Sequence, residues 1–224
     1  MISKKQDGLL FKLKPVLSVH RLGEPQVESY ALQSYQERMV ALEDLKRLYH
    51  ALPKRKSAVC PMSDDSSFAS DFTIQEVLAA FVKHGVEFVV IGGYAVAFHG
   101  YVRLTKDVDL FIHRTTKNAE RIVSAFGELN FNHPELTVEG LMKLGSVYKF
   151  GRVPDQVELL NEVKGITWDE ARSHAIPEKL LEQPVYFLEL ETLIKSKKAV
   201  GRLQDLADVE ALERILRDSW LGGC

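Results

Sequence analysis

Apolar and polar positions change period several times along the chain, and each change marks an element. From about Val27 to Leu52 apolar residues recur every three or four positions, at Tyr35, Met39, Leu42, Leu45, Tyr49 and Leu52, which predicts an amphipathic helix. Residues 1 to 26 carry no clear period. The stretch "PKRKSAVCPMSDDSSFASD" holds two Pro, a basic cluster and many Ser and Asp, and reads as a linker. A compact unit begins after it. Asp71 or Thr73 can cap a helix running to about Lys83, with Gly85 past its end. "VEFVVIGG" predicts a buried strand entering a glycine turn, "YAVAFHG" a short helix closed by Gly100, and "DVDLFIH" the next strand.

The alternation continues with "KNAERIVSAFGELN", a helix with Ile122, Phe126 and Leu129 on one side, and "GLMKLG", a short helix. "SVYKF" and "DQVELLNEV" read as strands, "TWDEARSHA" as a helix opened by Thr167, and "QPVYFLEL" as a strand. "ETLIKSKKAVG" predicts a helix ended by Gly201, and "LQDLADVEALERILRDS" a longer one. Strands and helices mix without strict alternation. The expected fold is therefore α+β: a small mixed β-sheet with flanking helices on one side, preceded by an N-terminal helical extension. The expected organisation is an extension over residues 1–61, a linker over 62–72 and a domain over 73–218. Met62 stands at the border, so two readings of the extension stay open. It is extra translated sequence ahead of a true start, or an appendage that docks on the domain or a partner.

Composition adds exclusions. The chain is 46% hydrophobic and 27% charged, as in a globular protein, and its net charge of −2 supplies no global basic field for coating nucleic acid. Cys60 and Cys224 lack neighbours at zinc-ligand spacing and make no disulfide framework. No apolar run approaches transmembrane length and no secretory leader is legible, so the expected location is the cytoplasm, with no membrane partner.

The candidate chemistry gathers between Gly92 and Glu158. A Gly pair between strand and helix lets the backbone approach a ligand, and a nest of N–H groups there suits phosphate; a tight turn with no ligand explains the same pair. Asp107 and Asp109 stand two apart on a strand, so both project to one face, about 7 Å apart. Val108 and Leu110 point the other way, to the core. Two like charges on a half-buried face repel, and a divalent cation turns that penalty into binding. Glu158, set between Val157 and Leu159, supplies a third acid if its strand lies beside the Asp pair; otherwise it faces solvent.

Cations can back a phosphate. Lys197 falls on the apolar stripe of Leu190, Leu193 and Ile194, where an inward ammonium wants an anion. Lys195, Lys198 and Arg202 flank the other side as an exposed basic face. Arg202 binds substrate or pairs with Asp205 or Asp208, both near a helix start where capping is the simpler role. Arg103 and Thr105, just ahead of the Asp pair, are placed for a phosphate or, in the case of Arg103, for a structural ion pair. His99, at a helix C-terminus, is favoured there by the dipole and is not a strong catalytic candidate.

Gly-Gly, thirteen residues, Asp-x-Asp and a later strand acid together resemble the signature of the DNA polymerase β-type nucleotidyltransferase superfamily. "GGYAVAFHGYVRLTKDVDLFI" and "LIKSKKAVGRLQDLADVEAL" resemble more closely its minimal prokaryotic members, related to abortive-infection toxins. The resemblance covers about residues 73 to 214. It implies transfer of a nucleoside monophosphate from an NTP to a hydroxyl of RNA, such as tRNA, or of a protein, and a toxin role opposite an antitoxin partner. Asp107, Asp109 and Glu158 would be catalytic and hold two Mg²⁺ or Mn²⁺ ions. Gly92, Gly93, Arg103, Thr105, Lys197 and Arg202 would bind the nucleotide phosphates, with Asp205 in a secondary role. Two departures stand out: Gly93 replaces the usual Ser, and Glu158 replaces the usual Asp. They leave room for a catalytically silent binding module or operon partner. The same acids also suit a metal-dependent phosphoesterase.

Overall fold

The computed structural model describes residues 34–51, 67–68, 72–151 and 156–221. Expectations for the first 33 residues, for most of the linker and for Leu52 lie outside the described residues. Helix α1 (Tyr35–Ala51) precedes a two-residue strand β1 (Ser67–Phe68). Then follow α2 (Ile74–Lys83), β2 (Phe88–Ile91), α3 (Gly92–Phe98), β3 (Asp107–Ile112), α4 (Thr116–Glu128) and α5 (Val138–Met142). The chain continues through β4 (Val147–Phe150), β5 (Gln156–Leu160), α6 (Trp168–Ser173), β6 (Ile176–Leu180), β7 (Gln183–Phe187), α7 (Leu190–Val200) and α8 (Leu203–Leu221). The fold is α+β, with the strands in one seven-stranded mixed sheet of order β1-β4-β5-β3-β2-β7-β6. No helix among the described residues is long and apolar enough to cross a membrane.

Local chemistry sets most helix starts. Thr73, Thr115, Thr137 and Thr167 each accept a hydrogen bond from the backbone N–H three residues on, satisfying one of the donors a helix leaves unpaired. At Thr73 the box is complete, because Glu76 returns a bond to the Thr73 N–H. At the other end of α7, Gly201 takes the left-handed conformation that the sequence predicts for a helix stop.

The sheet is asymmetric in burial. β2, near its middle, is buried on both faces along its whole length. β3 and β5 bury Val108, Leu110, Val157 and Leu159 on one face and leave Asp107, Asp109, Gln156, Glu158 and Leu160 partly open. That half-open face carries Asp107, Asp109 and Glu158. The strand expected to reach Val163 ends at Leu160; Val163 instead forms an isolated bridge to Ile166. β6 has no counterpart among the sequence expectations. "IPEKL" contains Pro177, and its hairpin turn uses Leu181 and Glu182 at positive φ in place of Gly or Asn. Pro177 is tolerated because β6 is an edge strand. β1, at the opposite edge, falls inside the stretch read as linker and pairs parallel with β4.

Helix α1 packs on α3 and the end of β7. Ala41 and Leu42 are buried, and the Tyr35 ring meets Phe98 and Phe187 edge-on. Arg38 donates from Nε to the Ala97 carbonyl at 3.1 Å and from Nη2 to the Phe98 carbonyl, capping the C-terminal end of α3. Deeper in, the Lys46 ammonium donates to the Tyr94 hydroxyl at 2.6 Å, and that hydroxyl donates to Glu43 at 2.6 Å. Lys46 is only 1% exposed, so its ammonium is buried between the two helices, while Glu43 stays partly exposed. A buried ammonium persists only with such partners. Leu42→Ala should therefore cost about 2–5 kcal/mol of unfolding free energy, as for other buried leucines. Chemical denaturation of the full chain measures it; a cost near zero would mean that α1 is not part of the cooperative unit.

Candidate active site

The site begins with a register. β3 runs parallel to β5 with Asp109 opposite Glu158, and antiparallel to β2 with Asp109 opposite Ile91. Directly paired residues share a face, so Asp109 and Glu158 project together, joined by Asp107 two residues earlier. One carboxylate oxygen from each of the three acids lies within 4.8 Å of the others. All three side chains are half-buried. The structure therefore brings the three predicted acids to one point from two adjacent strands.

The electrostatics follow from that crowding. Burial, then the charges of Asp107 and Glu158, push the Asp109 carboxyl up to about 7, against the pull of Lys197 and the Gly93 N–H. Burial also raises the Glu158 carboxyl, with Lys149 opposing and Asp107 adding to the rise. Three crowded hard oxygen donors, with the proton affinity of Asp109 and Glu158 raised, are a fitting donor set for a divalent cation such as Mg²⁺.

The glycine turn is shaped to admit these acids. Gly92 sits at φ +62°, and a Cβ there would stand 1.8 Å from Asp109 Oδ2. A Cβ on Gly93 would stand 2.5 Å from the Thr105 hydroxyl oxygen and 2.7 Å from its Cβ. A Ser at position 93 would therefore collide with Thr105, which fills the space. Thr105 is buried, and its hydroxyl lies 3.3 Å from Asp107 Oδ1 and 3.4 Å from the Asp107 carbonyl. Gly92, Gly93 and Thr105 therefore line the Asp pair directly.

The predicted cations are held on carboxylates. Lys197 is 5% exposed, as the helical stripe predicts, and its ammonium pairs with Asp208 at 2.7 Å and Asp205 at 3.2 Å. Arg103 makes a two-pronged contact to Asp208 at 2.6 and 2.7 Å. Burial alone would raise the Asp208 carboxyl, but hydrogen bonds from Arg103 and Lys197 outweigh it and hold it below the ordinary value. Arg202 pairs with Asp205 at 2.8 Å while most of its side chain stays exposed. Lys195 and Lys198 lie on the surface, bound to Glu170 and Glu213. His99 joins the Leu188 carbonyl at 2.8 Å, away from the acids.

Two roles were not legible in the sequence. Asp208 is wholly buried and organises Arg103 and Lys197 from α8, a role that helix capping concealed. Lys149, opposite Glu158 across the β4–β5 ladder, reaches Glu158 Oε2 at 3.4 Å. The alternation of "SVYKF" places Lys149 on one strand face, but no sequence pattern says which neighbour shares it.

Two outcomes test this geometry. Gly92→Ala forces a side chain into the space of Asp109 at a left-handed backbone position; it should cost about 1–3 kcal/mol in stability and weaken divalent-cation binding. Calorimetry with Mn²⁺ and denaturant unfolding check both. The second outcome is a pH dependence. The folded state holds the Asp109 proton more tightly than the unfolded chain, so this group's contribution to stability falls as pH rises from about 4 to about 7 and stays low above that. Asp109→Asn should raise the melting temperature in chelator at about pH 8, and the gain should shrink toward about pH 5. The same shift at both pH values would rule out charge repulsion as its cause.

One comparison with known proteins gave a match. No curated protein matches the chain. A family profile described as "Nucleotidyl transferase of unknown function (DUF2204)" matches residues 71–218, a span that contains the glycine turn, all three acids and the Lys197–Asp208 network. The chain belongs to this nucleotidyl transferase family.

Proposed function

We propose that the chain transfers a nucleoside monophosphate from an NTP to a hydroxyl on RNA or protein. The acceptor oxygen forms a bond to the α-phosphorus, the bond from that phosphorus to the bridging oxygen breaks, and pyrophosphate leaves. The observation that carries this reading is the meeting of Asp107, Asp109 and Glu158 within 4.8 Å on the half-open sheet face. These three would hold two Mg²⁺ ions, which when bound offset triphosphate charge and make a hydroxyl more acidic. Glu158, its proton affinity raised, is suited to take the acceptor's proton.

Gly92 and Gly93 leave the backbone bare beside Asp109, and we assign the triphosphate to that side. Thr105 steadies Asp107. Arg202, largely exposed and tied at one nitrogen to Asp205, is the cation placed to turn toward a phosphate. In this scheme Lys197 and Arg103 stiffen the rim of the site through Asp205 and Asp208, and Lys197 lends its positive field to Asp109. A toxin role opposite an antitoxin rests on the sequence resemblance and would show as growth arrest that requires Asp107.

The direct assay incubates the chain with each labelled NTP, Mg²⁺ and total RNA or cell protein, and follows label transfer and pyrophosphate release. Transfer by the wild type, reduced at least about 100-fold in Asp107→Ala, is the expected result. Labelled product without pyrophosphate release would indicate a phosphoesterase-type reaction instead. No transfer to any acceptor, with Asp107→Ala indistinguishable in cells, would leave a binding module as the better reading.

A further inference from the structure

Three carboxylates need compensation before any cation arrives, and the fold supplies one in an unexpected place. Among the described residues, Lys149 is the cation in direct contact with the triad, at 3.4 Å from Glu158 Oε2. The contact is built by register, because β4 pairs antiparallel with β5 and sets Lys149 directly opposite Glu158. Both side chains are partly shielded, at 29% and 14% exposure, so the pair is screened less than a surface one. Lys197 and Arg103 pair with Asp208, and Arg202 with Asp205. Asp107 and Asp109 form no ion pair of their own among the described residues, so Glu158 alone is held by a tethered positive charge.

We propose that Lys149 is a tethered counter-ion that competes with the divalent cation for Glu158 and thereby sets how tightly the site binds metal. This rests on the assignment of Asp107, Asp109 and Glu158 as metal ligands. With the site metal-free, Lys149 keeps Glu158 compensated and the β4–β5 edge of the site in place. A cation bound by all three acids displaces the ammonium from Glu158, and the flexible four-carbon stem lets it move aside without moving the strand. The contact therefore stabilises the metal-free protein and opposes loading. A purely structural lysine would do the first and not the second. Lys149 is in this sense a positioning residue, acting through Glu158.

The two effects have opposite signs, which gives the test. Mn²⁺ binding to the full chain is measured by calorimetry, and thermal unfolding is followed in chelator and in Mn²⁺. Lys149→Met should melt at a lower temperature than wild type in chelator, yet bind Mn²⁺ about three- to tenfold more tightly and show a larger upward shift on adding it. Lys149→Gln, which keeps a polar head on the strand, should behave in the same direction if Lys149→Met folds poorly. Lys149→Arg should resemble wild type. Unchanged or weaker Mn²⁺ binding in both neutral variants overturns the proposal. If Glu158→Gln meanwhile weakens binding, the metal reading survives and only the role of Lys149 is lost. If wild type and Glu158→Gln both fail to bind Mn²⁺, the metal reading falls and takes this proposal with it.

Discussion

The repulsion among Asp107, Asp109 and Glu158 is the constraint around which the rest of the structure is arranged. Two strands could have placed apolar residues at these positions and buried the face fully, as they do on the opposite side with Val108, Leu110, Val157 and Leu159. Carrying three acids there leaves the sheet face half-open and lifts the proton affinity of Asp109 and Glu158. The protein tolerates this because several features share the load. The Gly92 turn makes room for the Asp109 carboxylate, Lys149 sits on Glu158, and Lys197 lends its field to Asp109.

A second ring of charge surrounds the first. Asp208 gathers Arg103 and Lys197, while Asp205 joins Lys197 and Arg202, so segments distant in sequence are tied beside the acids. Losing one partner from such a buried network costs about 3–5 kcal/mol, because a charge is then left without compensation. The ring therefore holds the loop of Arg103 and Thr105 against the Asp pair and restricts how α7 and α8 can move relative to β3. Phosphate binding and rigidity are competing uses of the same cations. Lys197 is buried and Arg103 half-buried against Asp208, whereas most of the Arg202 side chain is exposed.

Helix α1 extends this organisation beyond the family match, which begins at residue 71. Its contacts converge on α3, the helix that opens with the glycine pair, through Arg38 at one end and the Lys46–Tyr94–Glu43 cluster along its side. An element that reads in sequence as an optional extension thus shares the core of the helix next to the site. Its amphipathic period announced that it needed an apolar partner surface; it did not say which.

Local rules made much of the chain legible. Threonine caps, the Gly201 stop, the strand alternation of β3 and β5, and the inward Lys197 depend on residues a few positions apart, and period and capping chemistry report them directly. The sequence also placed Asp107 and Asp109 on one face, since a strand's period leaves no choice. Which strand lay beside them was a tertiary matter. Only the parallel β3–β5 register set Glu158 opposite Asp109, and only the β4–β5 ladder brought Lys149 to Glu158. The pairing of Arg103 with Asp208, more than a hundred residues apart, and the edge strand β6 with its Pro177 and glycine-free turn were equally hidden. Sequence determined which face each side chain takes, because that depends on the local backbone period; tertiary structure decided which faces meet, because strand order and register are set by the packing of the whole sheet.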